Sequence, residues 1–152
     1  MKLFLNIDKT FKETTVTIES PSIDDHVIQL LDYIHGMDQL FLIGKKGDMQ
    51  HILKPDEIHY FHTENEHVIA VTKSDSFILK EKLYELEKLL PPHKFIRLSK
   101  SVIANLHELS RFEASFNGTL CVYFKSGEKE YVSRTYVPVI KEALKLNRRT
   151  IE

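Results

Sequence analysis

The chain has 152 residues, 42% hydrophobic and 28% charged, which fits one soluble globular domain or one domain with a small extension. No apolar run approaches the roughly 20 residues needed to cross a bilayer. Met1–Asp8 lacks an apolar h-region and a cleavage site, and Cys121, the single cysteine, excludes an internal disulfide, so a cytoplasmic protein is expected. The formal charge of −1 hides a split: residues 1–93 hold 10 Lys/Arg against 16 Asp/Glu, and residues 94–149 hold 11 against 5. Such an asymmetry suggests that the C-terminal part meets an anion, nucleic acid being the usual one, although the two parts could simply pair with each other.

In chain order, Lys2–Asp8 alternates Leu3, Leu5 and Ile7, and Thr14–Glu19 alternates Val16 and Ile18; both read as strands. Pro21-Ser22 opens a helix with Asp24 and Asp25 in its first turn, Ile23, Val27, Leu30, Leu31 and Ile34 on one face, and Gly36 at its end. This β-β-α extension over residues 1–40 precedes a strand at Gln39–Gly44, a Lys45–Asp48 turn and a strand at Met49–Leu53. Further strands are expected at Ile58–His62 and His67–Thr72, on either side of the polar loop Thr63–Glu66. Phe77–Leu79 leads into a helix over Lys80–Leu90, stopped by Pro91-Pro92. Phe95–Leu106 reads as strand, polar turn and strand. Glu108–Phe116 and Thr119–Phe124 flank Asn117-Gly118, the strongest short hairpin signal in the chain. Ser126-Gly127 turns the chain into Glu128–Ser133, and Tyr136–Asn147 is a last helix before the tail 148–152. The fold class is mainly β with short helices, α+β overall.

The residues give little support to an enzyme. No glycine elbow, phosphate loop or dinucleotide glycine pattern is present, and Cys121 sits mid-strand where a buried thiol is the ordinary outcome. His59, His62 and His67 fall close together, but nothing completes a tetrahedral metal set; no metal or cofactor is expected. No pair of helices joined by a short turn carries a basic second helix. A β-rich DNA reader would use turns with small polar or basic tips. The chain offers three: His67 after its loop, Ser99-Lys100-Ser101, and Ser133-Arg134-Thr135-Tyr136. Hydroxyls, lysine and the asparagine Asn105 that closes the stretch are donors able to reach phosphates or base edges, although an ordinary strand-turn-strand explains Ser99-Lys100-Ser101 equally well.

The stretch Phe95-Ile96-Arg97-Leu98-Ser99-Lys100-Ser101-Val102-Ile103-Ala104-Asn105-Leu106 resembles the signature of the LytTR-type DNA-binding domain. Ile58-His59-Tyr60-Phe61, Lys80–Glu87, Asn117-Gly118 and Val132–Tyr136 fit its other motifs in order, so that the match spans residues 42–147. The resemblance implies a fold of about ten short strands that reads successive major grooves of double-stranded DNA with inter-strand loops. It implies a DNA-binding set of His67, Arg97, Ser99, Lys100, Ser101, Arg134 and Thr135. Within that set, His67 and Lys100 fall at base-contacting positions and Ser101 at a phosphate-holding one. The second reading loop holds Arg134 and Thr135, where the family often has two basic residues, so base readout there would rest on Arg134. Asn105 is expected to be structural.

Many relatives carry an N-terminal receiver domain; this chain resembles the stand-alone kind. The expected function is sequence-specific transcriptional regulation, as a homodimer on repeated half-sites. The extension would serve dimerisation or contact with a regulatory partner, such as a membrane protein encoded nearby. The alternative is a protein-interaction or regulatory module that keeps the fold without specific DNA readout.

Overall fold

The structure, a computed structural model, describes residues 1–37 and 40–151, apart from the side chains of Met37 and 146–151. It divides into two units, Met1–Gln39 and Leu40–Glu152.

In the first unit the helix forms but the two expected strands do not. Helix α1 spans Asp25–Met37 and starts where the Asp24 carboxylate accepts the Val27 N–H at 3.0 Å, an N-cap that places the start three residues after Ser22. Gly36 lies inside the last turn rather than beyond it. Lys2–Asp8 and Thr14–Glu19 have no strand pairing, and Leu3, Leu5, Ile7 and Val16 stand exposed. The expected β-β-α extension is therefore corrected to an irregular segment followed by one helix. Two short strands have too little apolar surface and too few ladder bonds to hold together without a third layer. Gln39, expected to open the next strand, lies outside the described residues.

Among its described residues the second unit contains ten strands: β1 Leu42–Lys46, β2 Met49–Leu53, β3 Ile58–Glu64, β4 His67–Thr72, β5 Ser76–Leu79, β6 Phe95–Ser99, β7 Val102–Asn105, β8 Leu109–Ala114, β9 Leu120–Phe124 and β10 Lys129–Val132. All pair antiparallel. The first seven make one sheet in the order β2-β1-β5-β4-β3-β7-β6, and the last three a second sheet in the order β10-β9-β8. The mainly β class and the strand number agree with the sequence reading.

Two helices complete the unit. Helix α2 spans Leu83–Leu89, shorter than the expected Lys80–Leu90 because Leu79 still belongs to β5 and Lys82 is extended. The Glu85 carboxylate accepts the Lys82 N–H at 3.0 Å and fixes the start. Helix α3 spans Val137–Ile151; it runs through most of the expected tail because no Gly or Pro interrupts Arg148–Ile151.

The large sheet is covered on both faces. On one face Leu83 and Leu86 of α2, with Leu90 just after it, bury against Ile58, Phe61, Val68, Phe77, Phe95 and Ile103. The other face contributes Tyr60, Leu98, Val102 and Ala104 to a second core with Leu120, Val122 and Phe124 of β9, Val132 of β10 and Ile140 of α3. A bulge at His59 shifts the register of β3 against β4. Ile58 and Phe61, three residues apart, thereby reach the same core. Gly44 is required by close approach: a Cβ there would stand 2.6 Å from Cβ of Phe77.

Candidate nucleic-acid interface

Four connections gather at one end of the second unit. The β3–β4 hairpin turns at Asn65 and Glu66, both left-handed at φ 49° and 67°, a pairing suited to a two-residue hairpin. Glu64 faces His67 across it. The β6–β7 turn is Lys100-Ser101. The β8–β9 connection turns through Phe116–Gly118, where Asn117 at φ 53° and Gly118 at φ 78° are both left-handed. The link from β10 to α3 is a 3-10 turn over Arg134–Tyr136.

Main-chain hydrogen bonds fix these connections relative to one another. The Thr63 N–H donates to the Ser101 carbonyl at 3.0 Å, joining the β3–β4 hairpin to the β6–β7 turn. A bulge at Leu98 takes that residue out of the β6–β7 ladder. Its carbonyl instead accepts the Ser133 N–H at 2.9 Å and the Ser133 hydroxyl at 3.3 Å. This joins the β6–β7 turn to the Arg134 loop. Arg134 in turn lies against the β8–β9 turn: a Cβ on Gly118 would stand 3.1 Å from its Cδ.

The side chains at the tips are exposed: His67, Lys100, Ser101, Arg134 and Thr135. Ser99 is half-buried, and its hydroxyl accepts the Ser101 N–H at 3.2 Å and lies 3.4 Å from the Ser101 hydroxyl. Arg97 is set differently. Its side chain is only 17% exposed and its guanidinium points into the turn. A cleft of about 520 Å³ opens beside the turn, lined by Thr63, Glu66, Lys82, Tyr84, Arg97 and Lys100. Lys82 and Tyr84 of this cleft carry no sequence signal, because only the fold brings α2 alongside the β6–β7 turn. Five of the seven expected residues are therefore exposed on these turns, Ser99 is half-buried, and Arg97, which lines the cleft, turns its guanidinium to the protein's own carbonyls and Glu87.

Behind the surface, Asn105 is 3% exposed. Its amide donates to the Ile58 carbonyl at 2.9 Å, and its oxygen accepts the His107 N–H at 3.0 Å. This is the expected structural role. The three neighbouring histidines do not converge. His59 is buried with Nε2 3.4 Å from the Glu108 carboxylate, His62 lies 5.6 Å from the Tyr60 ring, and His67 is at the exposed tip. Cys121 is buried in β9.

Comparison with known proteins gives a consistent picture. The family model described as LytTr DNA-binding domain matches residues 48–145. Uncharacterized HTH-type transcriptional regulators of Staphylococcus aureus strains N315 and MRSA252 are each 35% identical over 147 residues, covering 96% of this chain and 98% of theirs. A helix-turn-helix has no counterpart among the described residues of this chain, where α2 and α3 are separated by the five strands β6 to β10. A solved LytTr DNA-binding domain from Bacillus cereus superposes with a TM-score of 0.66 at 22% identity, covering 68% of this chain and 95% of that one. The signature from Phe95 to Leu106, the ten-strand fold and the match over residues 48–145 establish that this chain belongs to the LytTR DNA-binding domain family.

Proposed function

We propose that the protein is a bacterial transcriptional regulator that binds double-stranded DNA with turns instead of a recognition helix. The β6–β7 turn enters one major groove with Lys100 toward a base edge and Ser99 and Ser101 toward phosphates. The Arg134-Thr135 loop enters the next, with Arg134 as its base reader, and His67 contacts a base from the β3–β4 hairpin. Two copies occupy repeated half-sites, and the first 39 residues contact the second copy or a regulatory partner. This activity belongs in the cytoplasm, where the DNA is.

One observation carries the reading: the Leu98–Ser133 connection, which ties β6, and the exposed Lys100 turn that follows it, to the start of the exposed Arg134 loop. Most of the affinity comes from phosphate neutralisation and falls steeply with salt. Selection from random-sequence duplexes by the full chain tests the proposal. Enrichment of a repeated motif is expected. No enrichment at low salt would overturn it and favour a protein-interaction module, a reading that the anionic Glu64 and Glu66 on the same surface favour.

A further inference from the structure

We propose that Arg97 is a positioning residue that aims the β6–β7 turn at DNA from behind, without touching DNA itself. The inference rests on the DNA-reading function proposed above.

A guanidinium offers five N–H donors in a rigid fork. In Arg97 all three nitrogens are engaged by the protein. Nε donates to the Ser99 carbonyl at 2.7 Å, Nη2 donates to the Lys100 carbonyl at 2.6 Å, and Nη1 lies 3.3 Å from the Glu87 carboxylate. The next carbonyl, Ser101, is taken by the Thr63 N–H. Three successive carbonyls of the turn are thus held from the protein side.

This arrangement has a direction. Holding a carbonyl fixes the plane of its peptide, and fixing the planes on both sides of Lys100 fixes the direction in which its side chain leaves the turn. Glu87 supplies the reference point. It sits on α2, which is held by Leu83 and Leu86 in the core. The pose of an exposed tip is thereby referred to buried leucines through one side chain. Bonds from a cation to carbonyls are among the stronger kinds, and the one to the Ser99 carbonyl is partly buried.

The alternative is that Arg97 holds a phosphate directly. The two roles separate experimentally in the full chain. Binding of Arg97→Lys, Arg97→Gln and Glu87→Gln is measured against the selected duplex and a random duplex across a salt series, with turn amide exchange followed in the free protein. Lysine keeps the charge and loses the fork. Arg97→Lys is therefore expected to weaken the selected duplex about tenfold, the loss of one charge-assisted hydrogen bond. Its random-duplex affinity and salt slope should stay as in the wild type. Glu87→Gln removes an anion near DNA, which alone would tighten binding. It is expected instead to loosen the selected duplex by about threefold, half a pairing interaction. In the free protein, Ser101 amide exchange should quicken in all three variants.

The proposal is overturned if Arg97→Lys binds the selected duplex like the wild type while Arg97→Gln lowers the salt slope by about 0.9, the signature of one lost phosphate contact. Tighter binding by Glu87→Gln to both duplexes overturns it as well, as does unchanged Ser101 exchange. The exchange readout needs no DNA, so a wild type that selects no motif would count against the DNA-reading function alone.

Discussion

The main-chain carbonyl of Leu98 accepts two hydrogen bonds from Ser133, one from its N–H at 2.9 Å and one from its hydroxyl at 3.3 Å. The two residues are 35 positions apart in the chain, and the bond joins the edge strand β6 of the large sheet to the end of β10 in the small one. Its position suits proline unusually well for a test. Ser133 has φ −66°, the value a pyrrolidine ring imposes, so Ser133→Pro removes the N–H with little change in backbone angle. That substitution is expected to destabilise the fold by about 1–3 kcal/mol by leaving the Leu98 carbonyl without its partner. Ser133→Ala, which keeps the N–H, should cost under about 1 kcal/mol. Urea unfolding of both variants checks the difference.

Lys100 and Arg134 stand at the tips of the two joined loops. Alanine at either is expected to cost about 1–3 kcal/mol of discrimination at one base position. The two positions affected should differ and be separated by a constant spacing in the selected motif. Measuring each variant against duplexes altered one base pair at a time checks this; an unchanged base preference would remove the residue from the reading set.

Asn105 bridges Ile58 and His107 with both ends of its amide. Asn105→Ala leaves the Ile58 carbonyl and the His107 N–H without their partner, with an expected loss of about 2–4 kcal/mol. Asn105→Asp sets an oxygen against the Ile58 carbonyl, so it too should destabilise, and less severely as falling pH protonates it. Denaturant midpoints at pH 7 and pH 4 give both results.

Glu130 is half-buried on β10, and that burial holds its carboxyl above the ordinary value of 4.5; nearby Glu128 adds to the rise, while His62 and the Tyr131 N–H oppose it. A raised carboxyl contributes stability that is fully present below 4.5 and is lost as pH climbs through the folded value. Glu130→Gln is therefore expected to raise Tm at pH 7, with the advantage vanishing toward pH 4. Thermal melts of both proteins at the two pH values decide it.

Much of this architecture was legible in the residues because its strands are short, alternating and closed by local turns. Asn117-Gly118, Gly127 and the β6–β7 turn each sit where turn chemistry places them. Asn105 was identifiable because a polar side chain closing an apolar run needs a partner in the backbone. The bulges at His59 and Leu98 were not legible: one extra residue shifts the phase of alternation, but where both faces of the sheet meet a core that shift leaves no visible break in the sequence. Nor was the tie from Arg97 to Glu87, since nothing local says that α2 returns beside β6. The N-terminal strands were expected from alternation alone. Leu3 at 96% exposure shows that a pattern needs a surface to pack on.

The turns of the proposed reading surface are held by their own main chain. Thr63 to Ser101 and Ser133 to Leu98 both use the backbone N–H as donor, and what Arg97 grips within the turn is two carbonyls. Carbonyls and amides are the same in every residue. The tip side chains at 67, 100, 134 and 135 can therefore be exchanged without loosening the frame that carries them. A lineage built on this scaffold is free to drift in what it recognises while its stability stays put.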